Sequence, residues 1–199
     1  MKERGMIFNA EMVRAILDGR KTQTRRPVKF PLIDKNMGCE LAGNELAGEL
    51  AADNYWNSPY GKPGDRIWGR ETFRVHSRAT DVATLVYRAS VRNSWTEQTH
   101  RVPVAVCNKP ATPEKWTPSI HMPRWASRIL LEITDVRVER LNSITESDAE
   151  AEGVTDTGFG DLLVDGFRCL WKSIYGDDSW QANPWVWVIE FKRVEGGAA

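Results

Sequence analysis

The chain has 199 residues, 41% hydrophobic and 27% charged, and its 27 lysines and arginines are balanced by 27 acidic residues. This composition fits one globular core over residues 1–199 and excludes a wholly disordered chain. Zero net charge excludes a global positive field, so any contact with nucleic acid must be local.

Cys39, Cys107 and Cys169 lie far apart with no CxxC pair, which argues against a disulfide framework or a zinc site. Met1 to Met6 lead into no apolar leader core, and no stretch approaches the ~20 apolar residues of a membrane span. The expectation is a cytoplasmic protein without membrane association, whose oligomeric state is unknown.

In chain order, Asn9 is placed to cap a helix carrying Met12, Val13, Ile16 and Leu17 at helical spacing, with Gly19 as its stop. Residues 20–26 alternate threonines with long polar side chains and read as a short strand broken by Pro27. From Phe30 to Tyr60 the periodicity fades into an Asn-, Gly-, Ala- and Glu-rich segment, expected to be an insertion or lid. The turn Lys62-Pro63-Gly64-Asp65 precedes a single strand predicted over residues 66–75. Two β-prone runs, Thr84 to Tyr87 and Val102 to Val106, are expected to pair as a long-looped hairpin with Pro103 at an edge.

Four prolines between Cys107 and Arg124 predict an extended arm, so that the second insertion spans about residues 76–124. Trp125 to Leu141 reads as one long strand whose apolar phase shifts between Ile133 and Val136, the mark of a bulge. Thr145-Glu146-Ser147-Asp148 opens a short acidic helix closed by Gly153 and too polar for the core. A second helix is predicted near residues 161–175, with Leu163, Phe167, Leu170, Trp171 and Ile174 on one face and Gly176 as its stop. The last strand, residues 185–192, is apolar on both faces and therefore expected to be central. Short strands interleaved with a few helices, without βαβ alternation, give an α+β class built on a curved sheet or barrel.

The segment from Leu17 to Arg26 resembles the helix-then-GxKxxTxR signature of ASCH domains, a PUA-like β-barrel family. Three further blocks fall in that family's order: Lys62 to Arg66 before a strand, Ile144 to Gly153 as the acidic helix, and Trp185 to Phe191 as the closing strand. Together they bracket nearly the whole chain. Trp-Gly-Arg-Glu-Thr-Phe at 68–73 and Leu-Trp-Lys-Ser-Ile-Tyr-Gly at 170–176 look most like the long form carried by phages and prophages. The resemblance implies a PUA-like barrel with flanking helices, RNA or a modified nucleoside as partner, and no cofactor. A smaller bacterial relative of the fold is an N(4)-acetylcytidine amidohydrolase using a lysine, a threonine and a glutamate. The matching positions here are Lys21, Thr24 and Glu152, while the two insertions have no counterpart in that enzyme.

In such a site Thr24 would be the nucleophile, Lys21 the base that takes its proton, and Glu152 the acid for the leaving nitrogen. Lysine is a poor base at its free pKa of ~10.4, but burial or a neighbouring guanidinium from Arg20 or Arg25 disfavours its charge. Residues 21 and 24 differ by an odd number, so on a regular strand they point to opposite faces and the triad needs a bulge or turn between them. The plain alternative is a solvated basic edge. Glu71 is a rival acid, or else a rim ion-pair partner. His76, His100 and His121 have no spacing that suggests a metal site.

As a binding module, the chain would hold single-stranded RNA with Lys21, Arg25 and Arg26 on phosphate while Trp56, Tyr60 or Trp68 stacks a base. RNA cleavage in the same cleft, or binding of a host component through the proline-rich arm or the lid, are the remaining alternatives.

Overall fold

A computed structural model of the chain describes residues 1–90, 100–155 and 162–194. The first strands and helices are β1 (Glu3–Ile7), α1 (Ala10–Leu17), β2 (Gln23–Pro27), α2 (Gly43–Ala51) and β3 (Arg66–Arg70). They are followed by β4 (Phe73–Arg78), β5 (Val82–Tyr87), β6 (His100–Pro103) and β7 (Leu130–Arg140). The last are α3 (Glu146–Ala151), α4 (Leu163–Tyr175) and β8 (Trp185–Arg193). The class is α+β, with two sheets and no ring of strand pairings closed into a barrel among the described residues. No helix among them is long and apolar enough to cross a membrane.

Two compact units divide the chain. The first comprises Met1–Lys2, Gly19–Asp65 and Glu132–Lys192, and the second comprises Glu3–Asp18, Arg66–Leu131 and the described residues from Arg193.

In the first unit β8 lies between β7 and β2, the central place its two apolar faces require. It pairs antiparallel with β2, so that Thr24 faces Ile189, Arg25 faces Val188 and Arg26 faces Trp187. On one face Val186 and Val188 pack into a core with Leu141, Ile144, Ala149, Phe167 and Trp171. The other face buries Trp187, Ile189 and Phe191. The capping box that opens α3 is present: Thr145 accepts from the Asp148 N–H at 3.2 Å and Asp148 accepts from the Thr145 N–H at 3.0 Å.

In the second unit β1 runs parallel to β3, while β4, β5 and β6 form an antiparallel meander; β5 and β6 pair as expected, but the second strand is His100–Pro103, with residues 104–106 in a turn in place of the strand expected to reach Val106. Phe73, Val75, Leu85, Tyr87, Val102 and Met122 fill its core. Asn9 caps α1 as its sequence requires, accepting from the Met12 N–H at 2.8 Å, and Gly19 follows the helix with φ 77°.

Three further sequence expectations need correction. The single strand over residues 66–75 is two strands in different sheets, broken at Glu71–Thr72. The 30–60 segment contains α2, whose buried Leu46 and Leu50 are one turn apart and whose Glu45 reaches back to accept from the Ala42 N–H at 2.9 Å. The strand expected from Trp125 starts only at Leu130, because Arg124–Ala126 form a 3-10 turn. Further along β7, burial does switch from odd to even positions between Ile133 and Val136, as the phase shift predicts.

Gly43 is required by packing. A Cβ there would come within 2.3 Å of the Trp185 ring, and Arg140 stacks on the same ring at 4.4 Å. Gly43→Ala should therefore destabilise the protein by about 1–3 kcal/mol in urea unfolding through overpacking. The usual helix preference of roughly 0.5–1 kcal/mol for alanine has the opposite sign, so stabilisation by this substitution would contradict the packing.

Candidate functional site

Thr22 fixes the start of the site. Its N–H donates to the Ala151 carbonyl at 2.8 Å and its own carbonyl accepts from the Phe191 N–H at 2.8 Å. The end of α3 is thereby tied to the entry of β2, and Lys21 is set against Glu152.

The Lys21 ammonium is fully buried and donates to Glu152 Oε2 at 2.6 Å and to the Glu152 carbonyl at 2.9 Å. Arg25 reaches the same carboxylate, with Nη1 3.4 Å from Glu152 Oε1, while its Nη2 donates to Glu139 Oε1 at 2.6 Å and lies 3.3 Å from Asp148 Oδ2. Arg137 closes the cluster from β7, 3.3 Å from Asp148 Oδ1 and 3.5 Å from Glu139 Oε2. Arg137 also pairs with Glu190 at 2.5 Å and with Asp135 at 3.0 Å, so three cations are shared among five carboxylates. Opposite charge at this range is what allows Glu152, the C-cap of the six-residue α3, to be buried.

Burial pushes the Lys21 ammonium below the ordinary lysine pKa, the Glu152 carboxylate opposes this, and the charges of Arg26 and Arg25 add to the lowering. For Asp148, burial pushes the carboxyl up but is outweighed by hydrogen bonds from the Thr145 N–H and hydroxyl and by the Arg25 charge, so that its pKa falls.

Of the three residues expected to converge, the structure brings together Lys21 and Glu152. Thr24 is buried, and its hydroxyl has no hydrogen-bond partner among the described residues. On β2 it lies between Gln23 and Arg25, and both of these reach the charged cluster: Gln23 Oε1 accepts from Arg137 at 3.2 Å. Strand alternation therefore turns the Thr24 side chain to the other face. Lys21 and Arg25 are not a solvated basic edge, since both side chains have 0% exposure.

Arg20 is exposed and donates to the Gly153 carbonyl at 3.1 Å, and Arg26 is half-buried at the end of β2. Tyr60 packs edge-on against Trp187, with ring centroids 5.8 Å apart. Trp56 is 64% exposed and lines a cleft of about 380 Å³ with Asp34, Asn36, Met37, Glu49 and Asn54. Trp68 and Glu71 belong to the second unit. There Glu71 is not a rim residue: it is buried in a two-point pair with Arg128, at 2.8 and 3.0 Å.

Sequence reasoning missed Glu139, Asp148 and Arg137 as members of the cluster. Asp148 was visible only as a capping residue. The signal for Glu139 and Arg137 was slight, two opposite charges on a strand otherwise patterned by Val136 and Val138.

No family model matches the chain and no curated protein matches it. Among solved structures it resembles the crystal structure of protein EF3133 from Enterococcus faecalis V583, of the family DUF984, with 12% identity over 98% of this chain and 81% of that one and a TM-score of 0.43.

Removing one partner of the buried pair should be costly. Lys21→Met and Glu152→Leu should each destabilise by about 3–5 kcal/mol, and the double variant by less than either. Urea unfolding of the three variants checks this, and strictly additive losses would show that the two groups do not act as a pair.

Proposed function

We propose that the chain is an ASCH-type protein of the PUA-like group that binds a modified pyrimidine nucleoside, free or within RNA, and that its most concrete activity is hydrolysis of an N(4)-acylcytidine amide. The observation that carries this reading is the contact between Lys21 and Glu152, two groups of the amidohydrolase pattern that lie 131 residues apart and meet at 2.6 Å.

In that reaction the Thr24 oxygen bonds to the acyl carbon, the C–N bond breaks, the cytosine amino group leaves with a proton, and water then releases the carboxylic acid. A lysine whose charge is disfavoured by burial is suited to take the hydroxyl proton. At rest its Nζ is engaged by Glu152, and Thr24 Oγ1 has no hydrogen-bond partner among the described residues. Turnover on this path therefore requires the Thr24 segment of β2 to leave its pairing with Ile189 and turn over, while Lys21 exchanges the carboxylate for the hydroxyl.

A second reading is binding without turnover. The cleft around Trp56 favours it, because an exposed indole beside asparagine amides suits stacking and edge contacts to a base, and its volume lies within the ~300–1,000 Å³ of small-molecule sites.

Incubation with N(4)-acetylcytidine, followed by chromatography, should show cytidine formation, abolished by Thr24→Ala and reduced at least ~100-fold by Lys21→Ala. The rate should rise with pH up to a value below 10.5, because the folded lysine loses its proton more readily than a free one. Equal rates in wild type and both variants would remove the hydrolytic mechanism. If no turnover occurs, nucleoside binding that quenches tryptophan fluorescence and is lost in Trp56→Ala supports the second reading.

A further inference from the structure

On the hydrolytic path Lys21 gives up Glu152 Oε2 and becomes neutral, and the carboxylate it leaves is buried. A buried carboxylate with no other cation at hand would hold the proton within the pair and keep Lys21 from acting as a base. The surrounding charge sharpens this demand. The sequence segments of the first unit hold 13 lysines and arginines against 19 acidic residues, net −6, whereas those of the second hold 14 against 8, net +6. Negative surroundings favour the charged lysine, so a neutral Lys21 needs positive charge close to Glu152.

Arg25 is the cation in that place. The two oxygens of Glu152 are divided between partners, Oε2 accepting from Lys21 at 2.6 Å and Oε1 from Arg25 Nη1 at 3.4 Å. The other end of the same guanidinium is tied down, with Nη2 donating to Glu139 Oε1 at 2.6 Å and lying 3.3 Å from Asp148 Oδ2. The Phe167 ring centroid is 5.9 Å from the guanidinium carbon. These anchors come from β7, α3 and α4, so Arg25 keeps its place while the Thr24 segment turns over. A planar fork can hold one carboxylate with one arm while the other arm stays bound, which a single ammonium cannot do.

The other charged groups around the pair are placed differently. Arg137 binds Glu139, Asp148, Asp135 and Glu190. Arg20 donates to the Gly153 carbonyl. Arg26 lies in register with Trp187 and adds its charge from the opposite face of β2.

Resting on the hydrolytic reading, we propose that Arg25 is a positioning residue that keeps Glu152 ionised and in place when Lys21 releases it. Lys21 then loses its proton to solvent, and its lone pair is available for the proton of the Thr24 hydroxyl. Arg25 itself touches no reacting atom. Burial is the main cause that lowers the Lys21 pKa, Glu152 opposes it, and Arg26 and Arg25 add to the lowering. Taking away the Arg25 charge removes one of these causes and leaves Glu152 dependent on Lys21, so the lysine should hold its proton to higher pH.

The test is a pH titration of the isotope-labelled full chain by NMR, without substrate, following the Cε resonance of Lys21, identified by its absence from Lys21→Met. Arg25→Gln, which keeps an amide donor and drops the charge, should raise the Lys21 midpoint by at least about one pH unit. Arg25→Lys, which keeps the charge and loses the fork, should give a midpoint between those of the wild type and Arg25→Gln. In the wild type the Cζ resonance of Arg25 should shift with the same midpoint as Lys21 Cε, and this measurement decides the matter where Arg25→Gln does not fold. In N(4)-acetylcytidine hydrolysis, Arg25→Gln should lower kcat at pH 7 at least ~10-fold, with recovery as the pH passes the raised midpoint and KM changed less than ~2-fold.

An unchanged or lowered Lys21 midpoint in folded Arg25→Gln overturns the proposal, as does an Arg25 Cζ resonance that stays still while Lys21 titrates. A loss of kcat equal at every pH also overturns it, since that is the mark of a merely structural part. Absence of turnover in the wild type removes the hydrolytic reading alone: a raised midpoint in Arg25→Gln then still supports the hold of Arg25 on Glu152, and an unraised one removes both.

Discussion

Removing Lys21 and Arg25 from water is the demand around which the first unit is arranged. Each ion loses several kcal/mol of hydration on burial, a loss tolerable only when opposite charge and hydrogen bonds meet it at short range. Glu152, Asp148 and Glu139 provide this from two separate elements. Apolar contact explains how β8 packs against α4. It does not explain why a short helix rich in acids should fold against β2, and the charges do.

Local chemistry was easy to read in the sequence, because caps and stops act within a few residues. Asn9, Thr145, Gly19, Gly153 and Gly176 each mark a boundary for reasons complete in their own neighbourhood. The strand break at Glu71–Thr72 was not legible, and the reason is physical. Positions 67, 69, 71, 73 and 75 are all buried, so the period of two runs unbroken through a change of sheet. The helix at Gly43–Ala51 was hidden by its small residues, since glycine and alanine give no periodic signal and only Leu46 and Leu50 carry the buried face.

The charged cluster shows a different limit. Lys21 and Glu152 were singled out by likeness to a family pattern, whereas Glu139 and Arg137 had nothing local to distinguish them from solvated strand residues. The acidic helix was expected to stay out of the core for its polarity, yet Ala149 and Glu152 are buried. Polarity read one residue at a time misses pairing across more than a hundred positions. The same holds for net charge: a total of zero describes the chain and conceals that its two units carry opposite signs.

Gly153 follows Glu152 directly and adopts φ 87°, a conformation that side chains with a Cβ rarely accept. The chain can therefore turn away immediately after Glu152, which stays at the end of α3 as its C-cap with its carboxylate against Lys21. A larger amino acid there would shift the chain by one bond rotation and unsettle an ionic contact without touching either ion. Sensitivity to replacement at such a place is a property of chain geometry, and it can look like chemistry to anyone scanning side chains alone.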